Sequence, residues 1–549
     1  MRRRLPALLA AGLITLTGCA NIGREPAPPA EPGYISELVL PAENGNAVQS
    51  LENYNPYAVS PLTRQYIYEP LMVTNTDSCE IMPWLATGYE WVNTTTLRLD
   101  IREGVQWSDG TPFTPADVAF TLNAGKQYPG IDKAGLWSDS FGAPATSVKV
   151  DGQSVVITFS GDAASKLDGL VNATLILPEH VYGSVGDITT YIDANPVGTG
   201  PFVKGAYNGR RLTLERNPNY WQADTIKIEQ LSLEGTYDAN SGALKLRSGA
   251  LDLYTGDIPN PNNSVRGASS TDYYYAPAGT TVLAPNNSKF PTDNAQFRTA
   301  MAYAIDKEQL ARKASFGVMQ PASQTMLKLP LQQNQLPEKY QQDGGYIGYD
   351  PTKAAQILDE AGFTVGPDGL RTTPDGQPLQ LIFSVQAGFI DYLAMADVIV
   401  RNFQAIGLNV KLIATDPNAV DSQIKTGDFD MVLDYVNGGC VRAKDLGGKL
   451  ASNQISDDKT LKINVERYND PETDKLVADF EATIDPEQQK TYTDQIIDIF
   501  VQQVPVIALQ YAPQRLIYRT AGITGWPTTA NPYPTNNMVY VLTHLRPTS

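Results

Sequence analysis

The chain has 549 residues, 42% hydrophobic and 18% charged, the balance of a globular protein with a large core, and its length suggests two or three domains. Lys plus Arg number 42 against 59 Asp plus Glu, a net charge of -17, which excludes the basic stripe that nucleic-acid phosphates require. The two histidines, His180 and His544, lie in no HExxH, CxxC or GxSxG context, and no GxxxxGK[ST] loop occurs. Zinc hydrolysis, serine-type catalysis and nucleotide hydrolysis are therefore without support. No motif selects a catalytic pair from the many carboxylates, so neither an enzyme nor a cofactor or metal is expected.

In chain order, Arg2, Arg3 and Arg4 precede an apolar run from Leu5 to Leu16, followed by Leu16-Thr17-Gly18-Cys19. Basic residues before an apolar run shorter than the roughly 20 residues of a membrane span read as a signal peptide, residues 1–18. The four residues ending at Cys19 resemble the bacterial lipobox, which implies a diacylated Cys19 at the mature N-terminus. Residues 19–34, rich in Pro and Ala, read as a stiff tether. The mature protein is thus expected outside the cytoplasm, held to the cell membrane by lipid alone. If Cys19 carries lipid, Cys79 and Cys440 remain as a disulfide or as two buried thiols, and both alternatives stay open.

Further along, Thr96 to Arg102 alternates apolar and polar residues as a half-buried strand does, and Val155 to Phe159 forms a second strand candidate. Between them Thr114-Pro115-Ala116-Asp117 supplies an N-cap, a Pro at the first helical position and an acid in the first turn. Helices are predicted over Phe297 to Ala311, Pro351 to Glu360 (ended by Gly362) and Tyr392 to Ala405 (ended by Gly407). Strands Leu379 to Val385 and Leu408 to Ile413 flank that last helix, an order that predicts a βαβ unit with parallel strands.

The stretch from Leu97 to Val118, with Glu103-Gly104-Val105-Gln106-Trp107-Ser108-Asp109-Gly110-Thr111-Pro112-Phe113 at its centre, resembles the signature of the extracellular solute-binding proteins of the peptide and nickel group (family 5) of ABC importers. Matching segments are Tyr68-Glu69-Pro70-Leu71, Asn195 to Phe202, Arg216-Asn217-Pro218-Asn219-Tyr220-Trp221, and Phe297-Arg298 through Lys307. The resemblance implies an α/β, two-lobed periplasmic-binding-protein-like fold of the class II type with an extra inserted domain. Lobe I would comprise 35–75, 195–280 and 512–549, with 76–194 inserted. Lobe II would be 285–508, with hinges near 281–284 and 504–511. It also implies a monomer that encloses a small-molecule ligand between the lobes and meets ABC permease subunits.

Peptide binders of this family carry a tryptophan and then an aspartate on a strand of the second lobe, the aspartate pairing with the ligand's α-amino group. Here the matching stretch is Phe429 to Cys440, with Val436 and Gly439 at those positions, so Asp434 or Asp445 would have to substitute. An unpaired buried ammonium is costly, which disfavours a zwitterionic peptide. Segments Ile463 to Asp474 and Gly525 to Tyr533 are similar to the branch that includes cello-, xylo- and manno-oligosaccharide binders. Pyranose rings have apolar faces and hydroxyl edges, so a sugar cleft needs aromatic platforms beside amides and carboxylates. The expected ligand residues are Trp526, Tyr435, Asn437, Tyr57, Val59, Asn287, Gly438 and Trp137. An oligosaccharide is the expected cargo, an oligopeptide the alternative, and a chemoreceptor-type binder without transport the competing class.

Overall fold

The computed structural model describes residues 31–42, 53–57, 64–139, 142–209, 211–235, 239–256, 258, 260–266, 270–438, 440 and 446–548. The signal peptide, Cys19, Val59 and Asp445 lie outside the described residues.

The architecture is mixed α/β and two-lobed, as expected from the signature. In the first lobe, Ile35–Pro41 pairs in parallel with Ile228–Glu234, which continues antiparallel through Arg211–Arg216 to Phe202–Tyr207. Leu38, Leu214, Leu231, Tyr68, Leu516 and Leu542 close its core. A separate four-stranded antiparallel sheet contains Ala86–Asn93, Thr96–Ile101, Ser154–Phe159 and Ala145–Asp151. Trp107, Leu97, Ile157, Val118 and Leu170 fill the core beneath it. This sheet and its core lie within the stretch 76–194 expected as an inserted domain, and the helix Pro115–Gln127 starts at the predicted place: Thr114 caps it, and the Asp117 carboxylate accepts the Thr114 backbone N–H at 2.9 Å.

Two long strands, Thr271–Pro285 and Ile507–Arg519, pair antiparallel from Thr271↔Arg519 to Leu283↔Ile507 and run from the first lobe into the second. Their register shifts between Pro277 and Gly279 and again between Thr281 and Val282. In the second lobe Met431–Asn437 adds to the first crossing strand, and Gln380–Gln386 and Asn409–Thr415 extend the sheet in parallel. Helix Ile390–Ala405 joins the last two, completing the predicted βαβ unit. Its end is set by Gly407 at φ +86, a conformation open to glycine and costly for other residues.

One predicted helix is divided. Residues 297–311 form two helices, Ala295–Ala304 and Lys307–Ala314. Asp306 interrupts them because its side chain accepts the Gln309 N–H at 2.8 Å and caps the second, while its own N–H is taken by the Asn402 side chain. Continuous apolar spacing hides such a break, since a cap and a helical residue differ only in where the side-chain oxygen points.

Candidate ligand cleft

Strands Gln380–Gln386, Asn409–Thr415 and Met431–Asn437 run in the same direction, so their carboxyl ends lie along one edge of the second lobe. In open α/β sheets ligands bind outside such carboxyl ends. Here that edge faces the inserted domain, because Cys440, just beyond the last strand, is bonded to Cys79 with Cα atoms 5.1 Å apart.

Tyr435 and Asn437 stand on this edge, and Tyr435 remains 39% exposed with its ring against Gly279 of the crossing strand. Beside them lies an ion cluster: the Lys449 ammonium, almost fully buried, bonds the Asp434 carboxylate and sits 3.5 Å from Glu466. Burial pushes the Lys449 ammonium down, but the two carboxylates outweigh it and hold the group above its ordinary value. The same burial raises Glu466 against the pull of Lys449.

Between the inserted domain and the second lobe opens a cavity of about 690 Å³, lined by Asp139 and Gly142 on one side and by Gly448, Ser452, Asn453, Gln454, Asp474 and Glu481 on the other. Its size is within the range of small-ligand pockets, and its walls are rich in amides and carboxylates. Lys449, adjacent to Gly448, ties this wall to the Tyr435 strand through Asp434.

The other expected residues are dispersed. Trp526 is 5% exposed, stacked on Tyr518 with centroids 5.0 Å apart, and its indole N–H donates to the Arg519 carbonyl at 2.9 Å. Its neighbours are the core residues of the first lobe. Trp526→Ala is expected to lower stability by about 3 kcal/mol through the cavity it leaves. Thermal unfolding reads this directly, and an unchanged melting temperature accompanied by weaker ligand binding would contradict a packing role. Tyr57 is buried and donates to the Leu175 carbonyl at 2.7 Å. The Trp137 indole donates to Leu122 within the inserted domain. The Asn287 amide donates to the carbonyls of Pro285, Glu466 and Pro505 at 2.9–3.1 Å, fastening the end of one crossing strand to the start of the other. Gly438 follows the Tyr435 strand and donates to the Ala278 carbonyl at 3.1 Å.

Three residues outside the expected set stand at the same carboxyl edge of the second-lobe sheet. Phe389 is 48% and Ile390 83% exposed at the turn after strand Gln380–Gln386, and Tyr392 lies 5.5 Å from the Phe389 ring. Burial raises the Tyr392 phenol well above its ordinary value, with Asp434 adding to the effect. The available signal was the Gly388-Phe389-Ile390 run at the carboxyl end of a predicted parallel strand, where an apolar pair has no core to enter.

Among the described residues no cluster of His, Cys, Asp and Glu is arranged to hold a metal ion, and no helix is long and apolar enough to cross a membrane.

The model of the bacterial extracellular solute-binding proteins, family 5, matches residues 80–489. The chain belongs to that family. Its members are the substrate-binding proteins of ABC importers, which bind for transport and do not catalyse. The nickel-binding periplasmic protein of Escherichia coli is 23% identical over 479 residues, covering 84% of this chain and 87% of that protein. A periplasmic oligopeptide-binding protein of an oligopeptide ABC transporter from Thermotoga maritima superposes with a TM-score of 0.78 at 25% identity, covering 93% of this chain and 99% of its own. The mannohexaose-bound form of that Thermotoga maritima protein superposes with a TM-score of 0.69 at 24% identity, over 93% and 98%.

Proposed function

We propose that this substrate-binding protein is anchored to the membrane through a lipidated Cys19, captures an oligosaccharide in the cleft between its lobes, and releases it to the permease of its importer. The lobes are assigned as 35–75, 195–280 and 512–549 for the first, with 76–194 inserted, and 285–508 for the second. One observation carries the choice of cargo. A zwitterionic peptide needs a carboxylate for its ammonium, and Asp434, at the edge of the cleft, already has its charge matched by the buried Lys449. A neutral sugar needs no such partner. Exposed Tyr435 and Phe389 offer ring faces, and Asn437, Asn453 and Gln454 offer amides that both donate and accept. The mannohexaose held by the Thermotoga maritima relative accords with this reading.

Calorimetry of the protein against cello-, xylo- and manno-oligosaccharides and a mixed peptide pool tests it. Saturable binding to at least one sugar series is expected, and Tyr435→Ala should weaken that binding by about 1 kcal/mol through lost ring contact. Saturable peptide binding with none to any sugar would replace the oligosaccharide with an oligopeptide.

A further inference from the structure

The turn Asn75–Cys79 joins two short paired strands, Met72–Thr74 at the end of the first-lobe segment and Ile81–Pro83 at the start of the inserted domain. It is locally closed: the Cys79 N–H donates to the Asn75 carbonyl at 2.7 Å, and the Asn75 side chain accepts the Asp77 N–H at 2.9 Å. Its outward-facing carbonyls are bound by the other lobe. Lys328, only 1% exposed, donates to the Thr76 carbonyl at 2.6 Å and lies 3.6 Å from the Asp77 carboxylate. Gln332 donates to the same carbonyl at 3.3 Å, and Gln335 to that of Ser78 at 3.2 Å. The Cys79–Cys440 bond closes the set, joining positions 361 residues apart.

The location of this bond beside the lobe crossing determines what it does. Gly438, two residues before Cys440, abuts the crossing strand. A Cβ there would lie 2.5 Å from the Ala278 carbonyl oxygen and 2.7 Å from the Lys328 side chain. The nearest register shift in the crossing strands falls at Pro277/Gly279, alongside this contact. The two lobes are therefore joined at three covalent points in one neighbourhood: two crossing strands and a disulfide. Two paired strands permit both bending and twisting of one lobe against the other. A third fixed point beside them leaves rotation about the line through the fixed points and removes the twist.

We propose that Cys79–Cys440, seated in the Lys328–Gln332–Gln335 cradle, is a redox-sensitive restraint on lobe opening, setting the axis and limiting the amplitude with which the cleft admits its ligand. In an oxidising compartment the bond persists. A dithiol reductant opens it to two thiols while itself becoming a cyclic disulfide, and the cradle alone then holds the turn. The restraint does not depend on which ligand the cleft takes.

The test uses ligand-free protein, so it is independent of the cargo. Small-angle scattering of Cys79→Ser/Cys440→Ser, and of wild type reduced with dithiothreitol and capped with iodoacetamide, is expected to show a radius of gyration larger by about 1 Å. Hydrogen exchange at the Gly438 amide should accelerate by about tenfold in both. Lys328→Met with the bond intact should leave the radius of gyration at the wild-type value, and adding it to the serine pair should increase the rise. A wild-type radius and exchange rate in either reduced form would overturn the proposal. So would loss of far-ultraviolet circular dichroism in reduced, capped wild type, because the bond would then hold the fold and not the opening. If the serine pair fails to fold, reduced and capped wild type gives the deciding measurement.

Discussion

Gly198→Ala is expected to lower the unfolding free energy by about 4 kcal/mol or more, among the largest effects of any single methyl group in this protein. The added Cβ would stand 1.9 Å from the Ile67 carbonyl oxygen and 2.6 Å from its carbon. Both are backbone atoms, so no side chain can turn aside to relieve the overlap. The chain at this point is a junction. Gly200 donates to the Ile67 carbonyl at 2.9 Å, Ser108 donates to the Gly198 carbonyl at 2.9 Å, and the Asn217 side chain donates to the Gly200 carbonyl at 2.8 Å. Segments 66–67, 107–113 and 216–221 therefore converge on Gly198-Thr199-Gly200; the second lies in the signature and the third in a matching segment. Moving the loop outward to admit a methyl group would break bonds to each of them. Gly88→Ala is the matched control, since its Cβ would meet nothing within 4 Å. Urea denaturation of the two variants should differ by the full amount, and equal midpoints would show that the junction yields.

The signature, unlike this junction, is readable from the sequence alone. In Leu97 to Val118 each step is local: an alternating strand, a turn with Gly110 at φ +89, and a helix capped by its own Thr and Asp. Such features depend on residues within a few positions of one another, and the chain carries them in plain order. The βαβ unit at 380–415 is legible for the same reason. The cleft is not, because its residues meet only through tertiary packing. Trp526, in a Gly-Trp-Pro-Thr-Thr loop, has the composition of a sugar platform, but its face is covered by Tyr518. Asp434 has the composition of an ammonium partner, and a lysine fifteen residues away already pairs with it. Phe389 and Ile390 look like core residues in sequence and stand exposed just beyond the carboxyl end of the strand before them. In each case the residue type was informative, and the neighbour that decides its role lies beyond any local window.

Glu69 is where pH should act most strongly on the first lobe. Its carboxyl is 1% exposed, and its oxygens accept the Trp84 indole N–H at 2.6 Å, the Tyr220 hydroxyl at 3.1 Å and the Trp221 indole N–H at 3.2 Å. Burial raises it from 4.5 to about 7, even though these three donors favour the charged form. A carboxyl raised by folding keeps its proton when the unfolded chain has lost it. Its contribution is therefore fully present below pH 4.5 and is lost as pH rises toward 7, by about 1.4 kcal/mol per unit and about 3 kcal/mol in total. Glu69→Gln has no titrating proton, so the difference between wild type and variant should carry that slope, with the other buried groups cancelling. The amide can replace only one of the two oxygens as an acceptor, which leaves the Trp221 or Trp84 indole unpaired and makes the variant the less stable at pH 5 by about 2 kcal/mol beyond the slope. Glu69→Ala removes both acceptors, strands all three donors, and should cost roughly 3–6 kcal/mol at pH 5. Arg102, whose guanidinium lies 4.3 Å over the Trp221 ring, adds a packing contact that the displaced indole would lose. Denaturant titrations at pH 5, 6, 7 and 8 measure these differences. A wild-type minus Glu69→Gln stability difference that stays constant from pH 5 to 8 would mean that Glu69 titrates at its ordinary value, with water reaching the site and relieving the burial.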